Sequence, residues 1–417
     1  MAQLSKILKQ ATGVVAARGE GVYLFDEDDR RYLDFTAGIG VTSTGHCHPR
    51  VVEAAQRQVA TLIHGQYTTV MHRPLLTLVE RMSEVLPIHL DRMFFANSGS
   101  EAVEAALRLA RQATGRPNII AFHGGFHGRT VAAASLTTSG TRFRAGFGPM
   151  MGGVYVAPFP DRSHYGWGIE ETTDFTLKEL DYLLQTVSSP AETAAFIVEP
   201  VLGEGGYVPG NERFFAGLRE RADKHGILLV LDEIQTGWGR TGKFWGGDHF
   251  GIEADILITA KGIASGFPIS GIAARGDIMD KAWPGSQGGT YGANAVACAA
   301  ALATLDVVLE EKLVENAAVQ GEALRGALCQ VADKYSQITD VRGLGLMLGN
   351  EFRDADGNPD GAIAAAAQQE AARRGLLLLT CGAWGQVVRF IPALIVQSEH
   401  INEAASIWLD SVAAVSG

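Results

Sequence analysis

Apolar and polar positions along the chain alternate between two rhythms. Short runs rich in branched aliphatic residues stop abruptly at turn residues, at 93–96, 118–122, 193–198, 227–231 and 254–260. Continuous apolar runs bounded by glycine or charge predict strands buried on both faces of a parallel sheet. Between them, apolar residues recur every three or four positions, as at Val52, Ala55, Val59 and Leu62, or at Val103, Ala106, Leu107 and Ala110. That spacing predicts helices over 51–62, 75–85, the segment that ends at Gly115-Arg116-Pro117, 176–187 and 211–224. Residues 21–26 and 30–35 flank the turn Glu27-Asp28-Asp29 and predict a hairpin. Residues 161–174 show no clear period and read as a polar surface excursion.

Beyond residue 260 the pattern changes. Residues 266–274 predict a further strand, and 295–310 a long alanine-rich helix that bridges to a second domain. Strands are expected at 341–347, 376–380 and 386–391, the last carrying Arg389. An acidic turn at 354–360 and a helix over 362–373 lie between them. A final amphipathic helix carries Ile401, Ala404, Ala405 and Leu409 on one side. Alternating β and α elements of this kind predict an α/β fold: a mainly parallel sheet covered by helices, with a smaller α+β domain at the C-terminus.

Candidate chemistry sits where the strands stop. The run at 227–231 ends at Asp232-Glu233-Ile234-Gln235, and the run at 254–260 ends at Lys261-Gly262. In open α/β sheets, ligands bind at the carboxyl ends of the strands, so an acid and an amine are expected to face one crevice. Pyridoxal phosphate needs such a pair: a lysine for its aldehyde and a carboxylate beside its ring nitrogen. On the pair alone, a salt bridge between two strand ends is the commoner outcome. Ser98 and Glu101 fit a capping box, and the turn Asn97-Ser98-Gly99-Ser100 at a helix start can cradle an anion. An ordinary serine-capped helix is the other reading, and beside a cofactor lysine the two are about even. The loop from His123 to Thr130 offers a flat aromatic, Phe126, and an arginine, Arg129, which could fork onto a substrate carboxylate or be merely solvated. Glu199 and Glu204 add two more carboxylates at the same sheet edge. His46-Cys47-His48 has no second ligand cluster at usable spacing and reads as a structural loop, so no metal is expected.

Composition narrows the classes. A chain of 417 residues can bury a large core and form two domains. Hydrophobic residues make up 47% and charged residues 19%, which suits a globular enzyme. A net charge of −11 argues against nucleic acid as a partner. The first residues lack the apolar core of a signal peptide, and no run is long enough to span a bilayer. Cys47, Cys298, Cys329 and Cys381 are scattered and read as free thiols in a reducing cytoplasm. No strand is followed by a Walker A or dinucleotide glycine signature.

Five stretches, taken in order, resemble the class III (ω-amino acid) aminotransferases. They are residues 97–102, 126–130, 199–206, 232–237 and 260–262, and the similarity runs from about Gly21 to Ile395. Within the class, Gly266-Phe267-Pro268-Ile269-Ser270, Gly289-Thr290-Tyr291 and Thr380-Cys381-Gly382 look most like 4-aminobutyrate transaminases. The resemblance implies the fold type I architecture and pyridoxal 5'-phosphate as cofactor. It implies an N-terminal segment (1–50) packing with a C-terminal small domain (306–417), around a large cofactor-binding domain (51–305). Lys261 would be the Schiff-base lysine and proton shuttle, and Asp232 would hold the pyridine N–H. Phe126 would stack on the ring with His127 beside it, and Gln235 would approach the phenolic oxygen. Gly99 and Ser100 would bind the phosphate, with Thr290 reaching it from the other subunit of a homodimer or tetramer. Ile39 would line the pocket, Glu199 would stand on the substrate side, and Arg129, Glu204 and Arg389 would handle substrate carboxylates. The implied reaction moves the amino group of an ω-amino acid, with 4-aminobutyrate the expected donor, to 2-oxoglutarate by a ping-pong route. An acetylornithine or ornithine aminotransferase, an amine–pyruvate transaminase and a dialkylglycine decarboxylase-like enzyme are the alternatives. Two departures stand out: the usual Gly-Gly-Asn-Pro is Gly292-Ala293-Asn294-Ala295, and Leu202 replaces a usual glutamine.

Overall fold

The computed structural model describes residues 4–5 and 7–416, so the ends of the expected terminal segments, 1–3, 6 and 417, lie outside the described residues. Its centre is a sheet of seven strands: β1 (Arg92–Ala96), β2 (Asn118–Phe122), β3 (Val154–Ala157), β4 (Thr193–Val198), β5 (Leu228–Asp232), β6 (Ile256–Thr259) and β7 (Ser270–Ala274). Their spatial order is β1-β7-β6-β5-β4-β2-β3. The pairs among β6, β5, β4, β2 and β3 are parallel, and β7 runs antiparallel to both its neighbours.

Strand periodicity explains why these runs are apolar throughout. Ile119, Ala121, Ala195, Ile197 and Val230 face α1 (Gly99–Thr114), against Val103, Ala106, Leu107 and Ala110. Their sequence neighbours Ile120, Phe122, Phe196, Val198, Leu229 and Leu231 face the opposite layer, where Phe214, Phe215 and Leu218 of the helix Glu212–His225 cover them. A strand alternates its side chains, so a sheet covered on both faces needs apolar residues at every position. Each large side chain so buried contributes about 1.5–3 kcal/mol.

The smaller part combines both ends of the chain. The hairpin Tyr23–Asp26 and Arg31–Asp34 forms as expected, and Leu376–Leu377 adds to it in parallel. A second sheet holds Ile338–Leu344, Met347–Phe352, Val387–Phe390 and Leu379–Cys381. One apolar core joins Val22, Leu33 and Phe35 to Leu348, Phe390 and Trp408. Arg240 ties the two parts together. Its buried guanidinium donates to the carbonyls of Leu346 and Pro392, and burial pushes its pKa down to about 10. Among the described residues no helix is long and apolar enough to cross a membrane.

Five elements differ from the sequence expectation. The stretch at 341–347 is not one strand but the middle of a hairpin that turns at Gly345-Leu346. The stretch at 376–380 divides at Leu378 between two sheets. Strand β3 and the helix Leu313–Ala332 had no counterpart in the expectation. The helix expected from residue 176 begins at Ile169, inside the supposed polar excursion. There Thr172, Thr173 and Thr176 are buried, and each hydroxyl donates to the carbonyl four residues back. That bond satisfies the hydroxyl within the helix and lets a nominally polar position face the core.

Candidate active site

Parallel pairing sets Asp232 beside Ile258, so the carboxyl end of β5 and the turn after β6 open onto the same crevice. A cavity of about 390 Å³ lies there. Asn97, Ser98, Gly99, Ser100, Phe126, His127, Arg129, Glu199, Glu204, Asp232, Gln235 and Lys261 line it. Lys261 occupies the left-handed region with φ +43°, in a short turn directly after β6. Burial lowers its amine pKa, partly offset by Asp232, Glu204 and Glu199, so the neutral amine is favoured relative to an exposed lysine.

The carboxylates on this side are fully engaged. Asp232 Oδ2 accepts from His127 Nδ1 at 2.7 Å, and Oδ1 accepts the Ile234 N–H at 3.1 Å. Burial alone would lower the His127 pKa, but the bond to Asp232 outweighs it and raises it. Glu199 accepts the N–H of Phe126 at 2.8 Å and of Gly203 at 2.9 Å. Both its oxygens therefore serve the two loops that carry Phe126 and Glu204. Burial pushes the Glu199 carboxyl well above its ordinary range.

The start of α1 forms the anion cradle. Glu101 accepts the N–H groups of Asn97 and Ser98 at 2.9 and 2.8 Å, and Ser98 Oγ accepts the Glu101 N–H. This capping box leaves the amides of Gly99 and Ser100 outside it, on the cavity wall, at the positive end of the helix dipole. Ser100 Oγ accepts the Arg129 N–H at 3.1 Å, which holds the loop against the helix. Gly128 has φ +126°, and a Cβ there would collide with Ser100 Oγ, so this approach requires glycine.

The opposite wall is differently made. Arg389 is buried and forms an ion pair with Glu204, yet its Nε has no partner among the described residues. Burial alone would raise the Glu204 carboxyl, but Arg389 and Lys261 bring it below the ordinary range. Arg389 is held above its ordinary value, Glu204 more than offsetting burial. Gln235 is buried with its Oε1 unpaired. Arg129 is exposed, with its guanidinium 4.7 Å from the centre of the Phe143 ring.

Most residues singled out in the sequence thus converge on one cavity. Arg389 meets it through Glu204. Two do not line it: Ile39 is 42% exposed, and Val41 lines the wall instead, while Thr290 lies exposed outside. Asn97, named in the sequence within the anion-cradling turn, and the segment Gly266–Ile269 also line the wall. At the departure from the usual second glycine, Ala293 is held at φ +54°, a conformation that glycine adopts without strain. Asn294 still caps the next helix through its side chain, accepting from Val296 and Ala297, so a proline at 295 is dispensable.

These groups fit pyridoxal phosphate. They offer an amine, a buried carboxylate, helix N–H groups, a half-buried aromatic and a buried side-chain amide around one space.

Comparisons with known proteins agree. A family model described as aminotransferase class-III matches residues 7–411. The chain is 40% identical to a 5-aminovalerate aminotransferase of Pseudomonas aeruginosa, over 94% of this chain and 92% of the relative. It is 39% identical to the 4-aminobutyrate aminotransferase of Escherichia coli, with the same coverage of both. Its fold matches an omega transaminase from Pseudomonas jessenii, solved in complex with PMP, with a TM-score of 0.91 and 28% identity. That match covers 96% of this chain and 92% of the other. The chain belongs to the class-III aminotransferases and is a pyridoxal phosphate-dependent enzyme of the fold type I architecture.

Proposed function

We propose that the enzyme moves the amino group of an ω-amino acid, with 4-aminobutyrate as donor, to 2-oxoglutarate in two half-reactions. The observation that carries this reading is the buried ion pair of Arg389 with Glu204, which lines the same cavity as Arg129, an arginine without a carboxylate partner among the described residues. One pocket must accept two molecules of different charge. Glutamate has two carboxylates; 4-aminobutyrate has one. Arg129 holds the distal carboxylate of both. Arg389 holds the α-carboxylate of glutamate and faces nothing when the ω-amino acid is bound. Leaving one partner of a buried ion pair alone typically costs about 3–5 kcal/mol. Glu204 removes that cost in one half-reaction and swings aside in the other. Relatives that act on 5-aminovalerate and 4-aminobutyrate support the donor class.

In this reading Lys261 binds the cofactor and moves the substrate proton. Bound there, pyridoxal phosphate supplies the carbonyl that takes up the amino group and an electron sink. Asp232, held by His127, would keep the pyridine nitrogen protonated, and Phe126 would pack on the ring. Gln235 would donate to the phenolic oxygen, while Gly99 and Ser100 would hold the phosphate. Glu199 positions the loops on either side. Thr290, exposed outside its own cavity, completes the phosphate site of a second copy, and Ile39 reaches that copy's pocket. The functional unit is then a homodimer with composite sites. Val59, Leu62, Ile63, Val70 and Met71 form an exposed apolar stretch suited to that contact. A donor screen with 2-oxoglutarate and pyruvate as competing acceptors tests the proposal. The expected outcome is fastest turnover with 4-aminobutyrate or 5-aminovalerate and 2-oxoglutarate. Preference for acid-free amines with pyruvate contradicts it.

A further inference from the structure

Beside Arg129, which lines the cavity, stands a second guanidinium that no sequence motif marks. Arg142 lies in the short turn Thr141–Phe143, just after the helix Val131–Leu136. Phe143 is buried and meets Phe126 edge-on, with ring centres 5.0 Å apart. The guanidinium carbons of Arg129 and Arg142 each lie 4.7 Å from the centre of that same Phe143 ring. They are therefore no further apart than twice that distance. One carboxylate can bridge such a span through N–H···O contacts of about 2.8 Å to each side.

Several exposed arginines elsewhere on this acidic chain find carboxylates, as Arg18 with Asp29, Arg50 with Glu310 and Arg213 with Glu170, whereas Arg73 and Arg108, like Arg129 and Arg142, form no ion pair among the described residues. Among the described residues, neither Arg129 nor Arg142 has a carboxylate within ion-pair distance. Two like charges gathered on one ring, one of them lining the cavity, favour an anion between them. Arg142 also acts on Glu204, helping Arg389 and Lys261 to draw its carboxyl down. Its charge is thus felt inside the site and not only at the surface.

We propose that Arg142 is a specificity-determining residue, which with Arg129 forms a two-guanidinium clamp on the terminal carboxylate of the substrate and so selects acid-bearing substrates over acid-free amines. The clamp rests on the ω-amino acid reading above and adds to it the group that reads the acid. The Phe143 ring presents both planar forks, and lysine cannot reproduce that fork geometry.

The test compares the holoenzyme of the parent with Arg142→Gln and Arg142→Lys. Glutarate, which has two carboxylates but no amino or oxo group, is titrated as a competitive inhibitor against whichever donor the parent accepts. The kcat/KM ratio of 4-aminobutyrate to butylamine is measured alongside. Under the clamp, Arg142→Gln weakens glutarate about tenfold or more, as expected for a lost charge-assisted bond, and lowers the donor ratio comparably; Arg142→Lys falls between. An unchanged glutarate affinity in Arg142→Gln overturns the proposal. So does an equal loss with acid-bearing and acid-free donors, which would mark Arg142 as support for Phe143 alone. A parent that rejects every ω-amino acid, yet loses glutarate on Arg142→Gln, overturns the donor reading and keeps the clamp.

Discussion

The two walls of the cavity are built on opposite principles. On the β5 side, the oxygens of Asp232 and Glu199 are all engaged, by His127 and by backbone N–H groups of Ile234, Phe126 and Gly203. Glu233, next to Asp232, is also saturated, by Thr236 and the amides of Gly246 and Gly247. On the opposite side, among the described residues, Arg389 Nε lacks a partner and Arg129 has no counter-ion. A saturated wall costs no reorganisation during the reaction, which suits groups that hold a cofactor in fixed geometry. Unsatisfied buried groups are expensive unless a ligand meets them, which suits a wall that must recognise two different substrates in turn. Buried charge alone therefore does not mark a recognition site. Arg240 is as deeply buried as Arg389, and its Nη2 likewise lacks a partner among the described residues, but its bonds run to backbone carbonyls that cannot move away and it does not line the cavity.

If the fixed wall performs the chemistry, its substitutions act alike on both half-reactions. The largest effect is expected at Lys261. Lys261→Ala should retain cofactor and show no detectable turnover with any donor, since no neighbouring amine can replace it. Measurable steady-state turnover would break the assignment. Asp232→Asn comes next. It weakens the hold on a protonated ring nitrogen and should cost about 3 kcal/mol in transition-state terms, roughly a hundredfold in kcat/KM. The loss should be equal with amino donor and oxo acceptor; a variant within a few-fold of the parent contradicts the role.

Much of this division could be read in the sequence, and the rest could not for definite reasons. The saturated wall lies at strand ends, where an apolar run stops at one charged residue, as at Asp232 and Lys261; that pattern is local and legible. The partners of those residues come from far along the chain, as His127 does for Asp232. No spacing rule links them; only the resemblance joined them. Arg142 sits in an aperiodic loop and became visible only through the ring it shares with Arg129. The fold shows the same limit. The parallel strands were legible because both faces are covered, whereas β3 is a short edge strand and the threonines of Ile169–Thr186 hide a helix behind hydroxyls.

A smaller effect concerns stability alone. Burial pushes the Glu233 carboxyl up to about 7, while in an unfolded chain it titrates near 4.3. Its folded pKa is the higher one, so the folded state binds the extra proton. That contribution to stability is fully present below about 4.3 and is lost as pH rises through about 7. The parent's melting temperature should therefore carry a downward component between pH 5 and pH 8 that Glu233→Gln lacks. Parallel melting curves for parent and variant across that range would contradict it.

The central claim is that the second wall exchanges partners between half-reactions, and single-turnover kinetics of Glu204→Gln and Arg389→Ala measure it most directly. The account predicts that Glu204→Gln slows the half-reaction with 4-aminobutyrate far more than that with glutamate, and that Arg389→Ala does the reverse. Equal damage to both half-reactions in both variants would mean a static ion pair and contradict the account.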